Sequence, residues 1–389
     1  MRVLMLNERD VSHPLAGGVE VHLEELGQRL ASRHGIEMTV LCAAFPGAKA
    51  EEERGGLRFL RFGNRFSYYA QLPRRSREEW ATGEYDLVIE NLCKLLFFSQ
   101  LYLPRAPKLG LVHHLFGLSA FRQVALPIAS FVAVTEAMLP VAYRRWPFVV
   151  VSPSTRDDLR ARFLPADSIR VIPNGLDHER FCPDASVAVE PGLIVFVGRL
   201  EYYKGVDVLL EAWRLLGEQH PECRLVLVGA GTASEDLQAR AARLPSTARV
   251  TFTGFVSEDE KIEWLRKASV VVQPSHKEGW GLTVLEANAC GTPVVATDVP
   301  GLRDSVRPGL NGLRVPRGDA PALAGALARV LEDSSLRASL SAGALAWAGR
   351  FGWDAVADAF AEVLGALAAG RPLPEVRDFL ADDSGERAA

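Results

Sequence analysis

Cysteine is scarce in this chain of 389 residues: Cys42, Cys93, Cys182, Cys223 and Cys290 are scattered, with no Cys-x-x-Cys pair among them. That spacing excludes a disulfide framework and a zinc knuckle, and it fits a reducing cytosol. An excess of charge of one sign is missing too. The 44 Lys and Arg nearly balance the 48 Asp and Glu, leaving a net charge of −4, so no general affinity for nucleic acid is expected. Long apolar runs are absent. The longest, PIASFVAVTEAML, carries Glu136 and is bounded by Pro127 and Pro140, short of the roughly 18 to 20 residues a membrane span requires. The N-terminal MRVLMLNERD lacks the basic, apolar and small-residue succession of a signal peptide. A cytoplasmic protein with at most peripheral membrane contact is the expectation.

Three chemical signatures are missing as well. No Walker sequence G-x-x-x-x-G-K-[ST] occurs, and VGAGTAS lacks the third glycine of a dinucleotide fingerprint, which weakens P-loop and dehydrogenase readings. No Asp-x-Asp is present to hold a divalent ion against a diphosphate, so a phosphate site that works without metal is expected.

What the chain does contain is a repeated alternation. The length exceeds what one core usually spans and suggests about two domains. RVLMLN, EMTVLCA, LRFLRF, DLVIEN, KLGLVHH and FVVVSPS alternate with helical patterns in the first half; LIVFVGR, RLVLVGAG, VTFTGFV, SVVVQPS and PVVATD do so in the second. Near-continuous apolar runs of this length read as parallel strands buried on both faces, and their spacing by helices reads as two doubly wound α/β domains. The polar segment from Asn174 to Gly192 contains Pro183 and Pro191 and reads as a linker. The expected division is therefore 1–182, 183–352, a helix at 353–370 packing back on the first domain, and a flexible Pro-, Asp- and Arg-rich tail at 371–389. Ligands are expected in a cleft between two such sheets.

Three stretches carry chemistry. Gly17 and Gly18 open a helix whose apolar face is Val19, Leu23, Leu26 and Leu30; glycines there either let a ligand approach the backbone or simply make the turn. Arg199 and Lys204 follow the first strand of the second half in FVGRLEYYKG, where a rigid fork and a movable point charge suit a diphosphate, unless they are a solvated surface pair. SHKEGWGLTVLEANACGTPVVATD then sets Glu278 before a helix beginning near Gly281 and Glu286 inside it. Two carboxylates beside an anion site would repel phosphate, so they make sense as hydroxyl binders, unless each is an ordinary exposed helix glutamate. Sugar hydroxyls, two phosphates and ribose hydroxyls are the pattern of a nucleoside diphosphate sugar.

The Glu-x7-Glu of Glu278 and Glu286, the Arg199 and Lys204 stretch, PNGLD at 173–177, SPSTRDDL at 152–159, Gly-Gly-x-Glu at 17–20 and a histidine ending a first-domain strand together resemble the retaining glycosyltransferases of family 4. The resemblance covers nearly the whole chain. It implies the GT-B fold, two Rossmann-like domains facing each other across a cleft, and glycosyl transfer from a nucleoside diphosphate sugar to an acceptor hydroxyl without an essential metal. It further implies that Glu278 holds the donor sugar, Glu286 the ribose, Arg199 and Lys204 the diphosphate, and Gly254, Phe255 and Val256 the base. Gly17, Gly18, Asn174, Gly279, Trp280, Gly281 and Leu282 would complete the donor site. The family's active-site histidine falls on His113 or His114, which alternation sends to opposite faces; His113, directly after the strand, is preferred. No protein nucleophile is then required. Rivals within the fold are a nucleotide-sugar epimerase and a sugar phosphorylase; outside it, a non-catalytic nucleotide-sugar binder.

The acceptor is least legible. Glu90, His114 and Tyr68 are candidate contacts, and a small soluble or natural-product-type acceptor is expected, with a lipid-linked or polysaccharide acceptor as the alternative. The stretch from Arg58 to Trp80 interleaves Arg58, Arg61, Arg65, Arg74, Arg75 and Arg77 with Phe62, Phe66, Tyr68 and Tyr69. It reads as a solvated face over core aromatics, as an acceptor pocket, or as a landing patch for anionic lipid.

Overall fold

The computed structural model describes residues 1–64, 67–92, 95–117, 126–245 and 249–381. They form two compact units, one of residues 1–175 with 353–389 and one of residues 176–352. In the first, β1 (Arg2–Leu6), β2 (Glu37–Ala43), β3 (Glu51–Arg54), β4 (Leu57–Phe62), β5 (Leu87–Asn91), β6 (Lys108–Val112), β7 (Phe148–Val150) and β8 (Ile169–Val171) make a sheet ordered β3-β4-β2-β1-β5-β6-β7-β8. Its pairings are parallel except for the edge strand β3, which runs antiparallel to β4. The strands are wrapped by α1 (Gly18–His34), α2 (Ser67–Trp80), α3 (Leu126–Ala137), α4 (Leu139–Ala142) and α5 (Pro153–Ala161). The chain's late helix α13 (Trp353–Ala368) belongs to this unit and lies along α1, where Arg29 and Arg33 pair with Asp354, and Arg33 and His34 pair with Asp358.

The second unit orders its strands β11-β10-β9-β12-β13-β14, all parallel: β9 (Leu193–Val197), β10 (Arg224–Val228), β11 (Arg249–Gly254), β12 (Val270–Gln273), β13 (Val294–Thr297) and β14 (Gly312–Val315). Its helices are α6 (Val206–Gln219), α7 (Ser234–Ala241), α8 (Glu258–Lys267), α9 (Leu282–Ala289), α10 (Leu302–Ser305), α11 (Ala320–Glu332) and α12 (Ser334–Ala348). The central strands β9 and β12 are buried along their whole length, which is why they read as unbroken apolar runs. Strand order reverses between β9 and β12, the position where such sheets leave a crevice at their carboxyl ends.

Two expected boundaries move. The division falls at 175/176 rather than 182/183 because Leu176 donates its N–H to the Phe351 carbonyl, and the following segment is anchored on the second unit by buried Phe181 and by Arg266 donating to the Cys182 carbonyl. The expected linker is thus mostly packed surface. The tail is not loose over its first part either. Arg170 donates to the carbonyls of Leu373 and Pro374, and Phe379 and Leu380 are buried. Residues 382–389 lie outside the described residues.

Candidate active site

In the second unit, the loops leaving β9 and β12 interlock. Gly205, at φ 68°, caps α6 where a Cβ would stand 2.1 Å from the Pro274 carbonyl oxygen, and His276 donates its N–H to the Tyr203 carbonyl. Only glycine permits that approach. The interlock brings Lys204 Nζ to 2.5 Å from Glu278 Oε1, which also accepts from Ser275 Oγ at 2.8 Å. Both side chains are largely buried, at 16% and 15% exposed. Burial works against the Lys204 ammonium, but the Glu278 carboxylate and its hydrogen bond outweigh it and hold the lysine above its ordinary pKa. Arg199 lies at the same edge and donates to the Tyr203 hydroxyl at 2.7 Å.

From the other side, the turn after β13 closes on Glu278. A Cβ on Gly301, at φ 85°, would stand 2.6 Å from the Glu278 carbonyl oxygen and 2.8 Å from the Gly279 carbonyl carbon. Gly281, at φ 89°, then caps α9 with Leu282 as its first residue. Glu286, one turn in, is paired at 3.0 Å with Lys261 of α8, which also pairs with Glu258 and stands over the Phe181 ring. Burial disfavours the Lys261 charge, and Glu286 and Glu258 together raise its pKa nonetheless. At the end of β11, Gly254 (φ 72°) accepts from the Gly229 N–H, Val256 is exposed to an intermediate degree, and Phe255 is 91% exposed. Trp280 is different. It is buried against Phe351, with ring centroids 5.5 Å apart, and serves the core instead of facing a donor.

The first unit holds a second constellation. Gly17, extended at φ −152°, caps α1, and its N–H donates to Glu20 Oε2 at 2.7 Å; Gly18 is the first helical residue. One turn later His22 hydrogen-bonds through Nδ1 to Asn174 Oδ1. Its ring meets His113 edge to face at 4.9 Å and Trp353 at 5.5 Å. Burial pushes His22 down to about 4 against the opposing effect of the Asn174 bond. His113 is lowered well below the ordinary histidine value by burial, then by His22 and His114. Both rings are therefore neutral at pH 7, and Nε2 of each is buried without a hydrogen-bond partner among the described residues. His114 is half-buried beside Phe116.

The C-terminal part of the chain, residues 181–347, matches the family described as Glycosyl transferases group 1, and residues 16–180 match Glycosyltransferase Family 4. A D-inositol 3-phosphate glycosyltransferase of Streptomyces scabiei is 32% identical over 90% of this chain and 86% of its own length. The chain belongs to glycosyltransferase family 4. A relative of the same name from Xylanimonas cellulosilytica is 40% identical, but over 53% of each chain, so the chain spans about half the length of that relative. Among solved structures, sucrose-phosphate synthase of Thermosynechococcus elongatus superposes with a TM-score of 0.80 at 26% identity, covering 95% of this chain and 99% of the other. Anabaena HepE, crystallised with UDP-glucose, superposes at 0.73 and 22% identity over 94% and 100%. These are GT-B folds, as the family resemblance implies.

Two first-domain candidates must be withdrawn as acceptor contacts. Tyr68 is wholly buried, its hydroxyl 2.8 Å from the Asn7 carbonyl and 2.9 Å from that of Leu41. Glu90 is wholly buried as well. It accepts from the Ser99 N–H and the Tyr143 hydroxyl, and burial raises its pKa in spite of those bonds. The Arg58 to Trp80 stretch is no basic patch: Arg61 is buried on Asp10 and Glu52, Arg58 pairs with Glu51 and Glu79, and Arg74 and Arg75 pair with Glu78. Arg65 and Phe66 fall outside the described residues. Sequence reasoning missed Lys261, Gly301 and His22. For His22 the available signal was its place on the inward face of α1, in register with Leu26.

Proposed function

We propose that this protein is a retaining glycosyltransferase that moves a sugar from a nucleoside diphosphate sugar to an acceptor hydroxyl. The observation that carries the reading is the Lys204–Glu278 pair, held by two interlocked loops at the reversal point of the second sheet, with Arg199 at the same edge. A buried cation and a buried carboxylate side by side suit the junction of a diphosphate with a sugar. Lys204 and Arg199 take the phosphoryl oxygens and stabilise the charge that grows as the diphosphate leaves, while Glu278 accepts from sugar hydroxyls. Glu286, already neutralised by Lys261, accepts from ribose hydroxyls, and the exposed ring of Phe255 offers a face to the base. Neutral His113 and His22 suit hydroxyl contacts, since neither adds charge. Retention follows when the acceptor hydroxyl attacks from the face the diphosphate leaves, the departing phosphate taking the proton; the protein then contributes positioning and charge stabilisation.

HepE bound to UDP-glucose makes a UDP-sugar the first donor to try, and the D-inositol 3-phosphate glycosyltransferases make a small phosphorylated cyclitol the first acceptor. A lipid-linked acceptor is the second reading, favoured by an apolar groove between α2 and α3. The test incubates the protein with UDP-, GDP- and dTDP-sugars, alone and with D-inositol 3-phosphate, and reads product mass and the anomeric proton coupling. A glycosylated product with the donor's anomeric configuration supports the proposal. Turnover to an epimer without acceptor, or turnover only with inorganic phosphate, overturns it. EDTA is expected to leave the rate nearly unchanged; loss of activity restored by magnesium would overturn the metal-independent reading.

A further inference from the structure

The turn between α6 and β10 gathers donor atoms that glycosyl transfer does not use. His220 caps α6, its N–H donating to the Leu216 carbonyl, and the chain reverses through Pro221 and Glu222 before β10 begins at Arg224. Cys223 closes the turn by donating its N–H to the His220 carbonyl at 3.1 Å. Proline at the second position presets that reversal, and the closure brings the first and fourth residues alongside each other. Cys223 is confined from the far side too: a Cβ on Gly192, at φ 77°, would stand 3.0 Å from its Sγ. A ring nitrogen of His220, a carboxylate oxygen of Glu222 and the thiol of Cys223 consequently lie within 4.8 Å of one another. The imidazole is 16% exposed and Cys223 2%, so packing holds both, while Glu222, 68% exposed, leaves a way in from solvent.

His220 is oriented for metal binding. Its Nε2 is 3.0 Å from Glu332 Oε1 at the end of α11, and its Nδ1 is 3.5 Å from Glu222 Oε1. A carboxylate on Nε2 keeps the proton there and leaves the Nδ1 lone pair toward Glu222 and Cys223, the arrangement by which an outer carboxylate positions a metal-binding imidazole. The spacings agree. Zinc bonds of about 2.0 to 2.3 Å to nitrogen, oxygen and sulfur set tetrahedral ligand atoms about 3.3 to 3.6 Å apart. Nδ1 to Oε1 is 3.5 Å and Oε1 to Sγ is 3.8 Å, so a shift of a few tenths of an ångström suffices. Charge points the same way. Neither Glu222 nor Glu332 pairs with a lysine or arginine among the described residues, and the adjacent cation, Arg224, is taken by Glu190. Thiolate, imidazole and carboxylate together suit a borderline-soft divalent ion, whereas magnesium and calcium take oxygen.

We infer that His220, Glu222 and Cys223 form a zinc site at the amino end of β10, with Glu332 orienting the imidazole and water in the fourth position. Binding sends the Cys223 thiol proton to solvent and leaves a thiolate on the metal. Burial and Glu222 hold that thiol up to about 11 in the metal-free chain, so uptake releases a proton. The site lies at the opposite end of the second sheet from the loops that carry Lys204 and Glu278, and the inference is independent of the donor chemistry. A chelator that strips the ion should lower the melting temperature and leave kcat unchanged. The test titrates the full chain, stripped with EDTA and then freed of chelator, with cobalt(II) as a spectroscopic stand-in for zinc. One equivalent should bind with a near-ultraviolet thiolate-to-cobalt charge-transfer band, give way to zinc, and raise the melting temperature. Cys223→Ser should remove the band. Glu222→Gln, at an exposed position that does not threaten folding, should weaken binding roughly tenfold or more, and Glu332→Gln roughly tenfold to a hundredfold with the band retained. A wild-type chain without the band would overturn the inference and leave the cluster a solvated ion pair. So would a band that survives Cys223→Ser, which puts the cobalt on another cysteine, or an affinity unchanged in both glutamine variants.

Discussion

His22 gives the sharpest quantitative test of the first unit. Its imidazole is fully buried and its pKa lies at about 4 in the folded chain, against roughly 6.5 when unfolded. The folded value is the lower one, so below about pH 6.5 the unfolded chain binds a proton that the native chain refuses. Stability is therefore fully present above that pH and falls as the pH descends toward about 4. At about 1.4 kcal/mol per pH unit, the loss between pH 7 and pH 4.5 is roughly 2 to 3 kcal/mol from this residue. His113, also held neutral by burial, changes stability in the same direction. His22→Gln keeps an amide able to bond Asn174 and removes the titration. Urea unfolding followed by tryptophan fluorescence, with Trp353 5.5 Å from His22 as a reporter, would be measured for both proteins from pH 7 to 4.5. The stability difference between wild type and variant should shift in the variant's favour by roughly 2 to 3 kcal/mol across that range, as the wild type loses stability the variant keeps. A difference constant to within about 0.5 kcal/mol would show that His22 is not held neutral, and would remove the uncharged hydroxyl contact assigned to it.

Arg199→Ala and Lys204→Ala should each lower kcat by roughly 10²-fold or more, the usual effect of removing one preorganised charge-stabilising group; wild-type turnover in both would cancel the diphosphate assignment. Glu278→Gln frees Lys204 from its carboxylate, so UDP should bind roughly tenfold more tightly by calorimetry while transfer falls; an unchanged Kd would mean that the pair does not face the diphosphate. Gly205→Ala would drive a Cβ into the Pro274 carbonyl at a positive φ, and a thermal melt should show the second unit destabilised by about 2 kcal/mol. An unaltered melting temperature would show that the two loops are not interlocked there.

Much of the fold is legible because its strands are buried on both faces. LIVFV and RLVLV read as interior parallel strands, whereas EEER, the antiparallel edge β3, has no apolar pattern to mark it as a strand. His113 and His114 lie just past the end of β6 at Val112, so a strand's alternation does not govern them; His113 is 3% exposed and His114 half-buried. Tyr68 and Glu90 mislead because a polar side chain is not thereby an accessible one. Their hydroxyl and carboxylate are satisfied by Asn7, Leu41, Ser99 and Tyr143, partners up to 61 positions away that no local pattern announces. For the stretch from Arg58 to Trp80 the reading that survives is the solvated face over core aromatics, since Phe62 and Tyr68 are buried and the acids that neutralise its arginines lie partly on β3 and near residue 10.

The Glu-x7-Glu spacing shows where sequence reasoning stops. Two carboxylates beside the proposed phosphate site oppose the ligand, and the sequence resolves that only by assigning them to hydroxyls. The structure adds that each carries its own lysine: Glu278 has Lys204 from the loop after β9, and Glu286 has Lys261 from α8. The lysines stand 74 and 25 residues from their partners. The Lys204–Glu278 pair is neutral overall, and Lys261 is shared between Glu286 and Glu258, so the loops fold without leaving a buried charge unpartnered. A group that offers hydroxyls to the carboxylates and phosphoryl oxygens to Lys204 can replace these contacts with its own, and one that lacks either half leaves a buried charge unpaired. On the proposed donor role, that asymmetry would favour a whole nucleotide sugar over a free sugar or a free nucleotide.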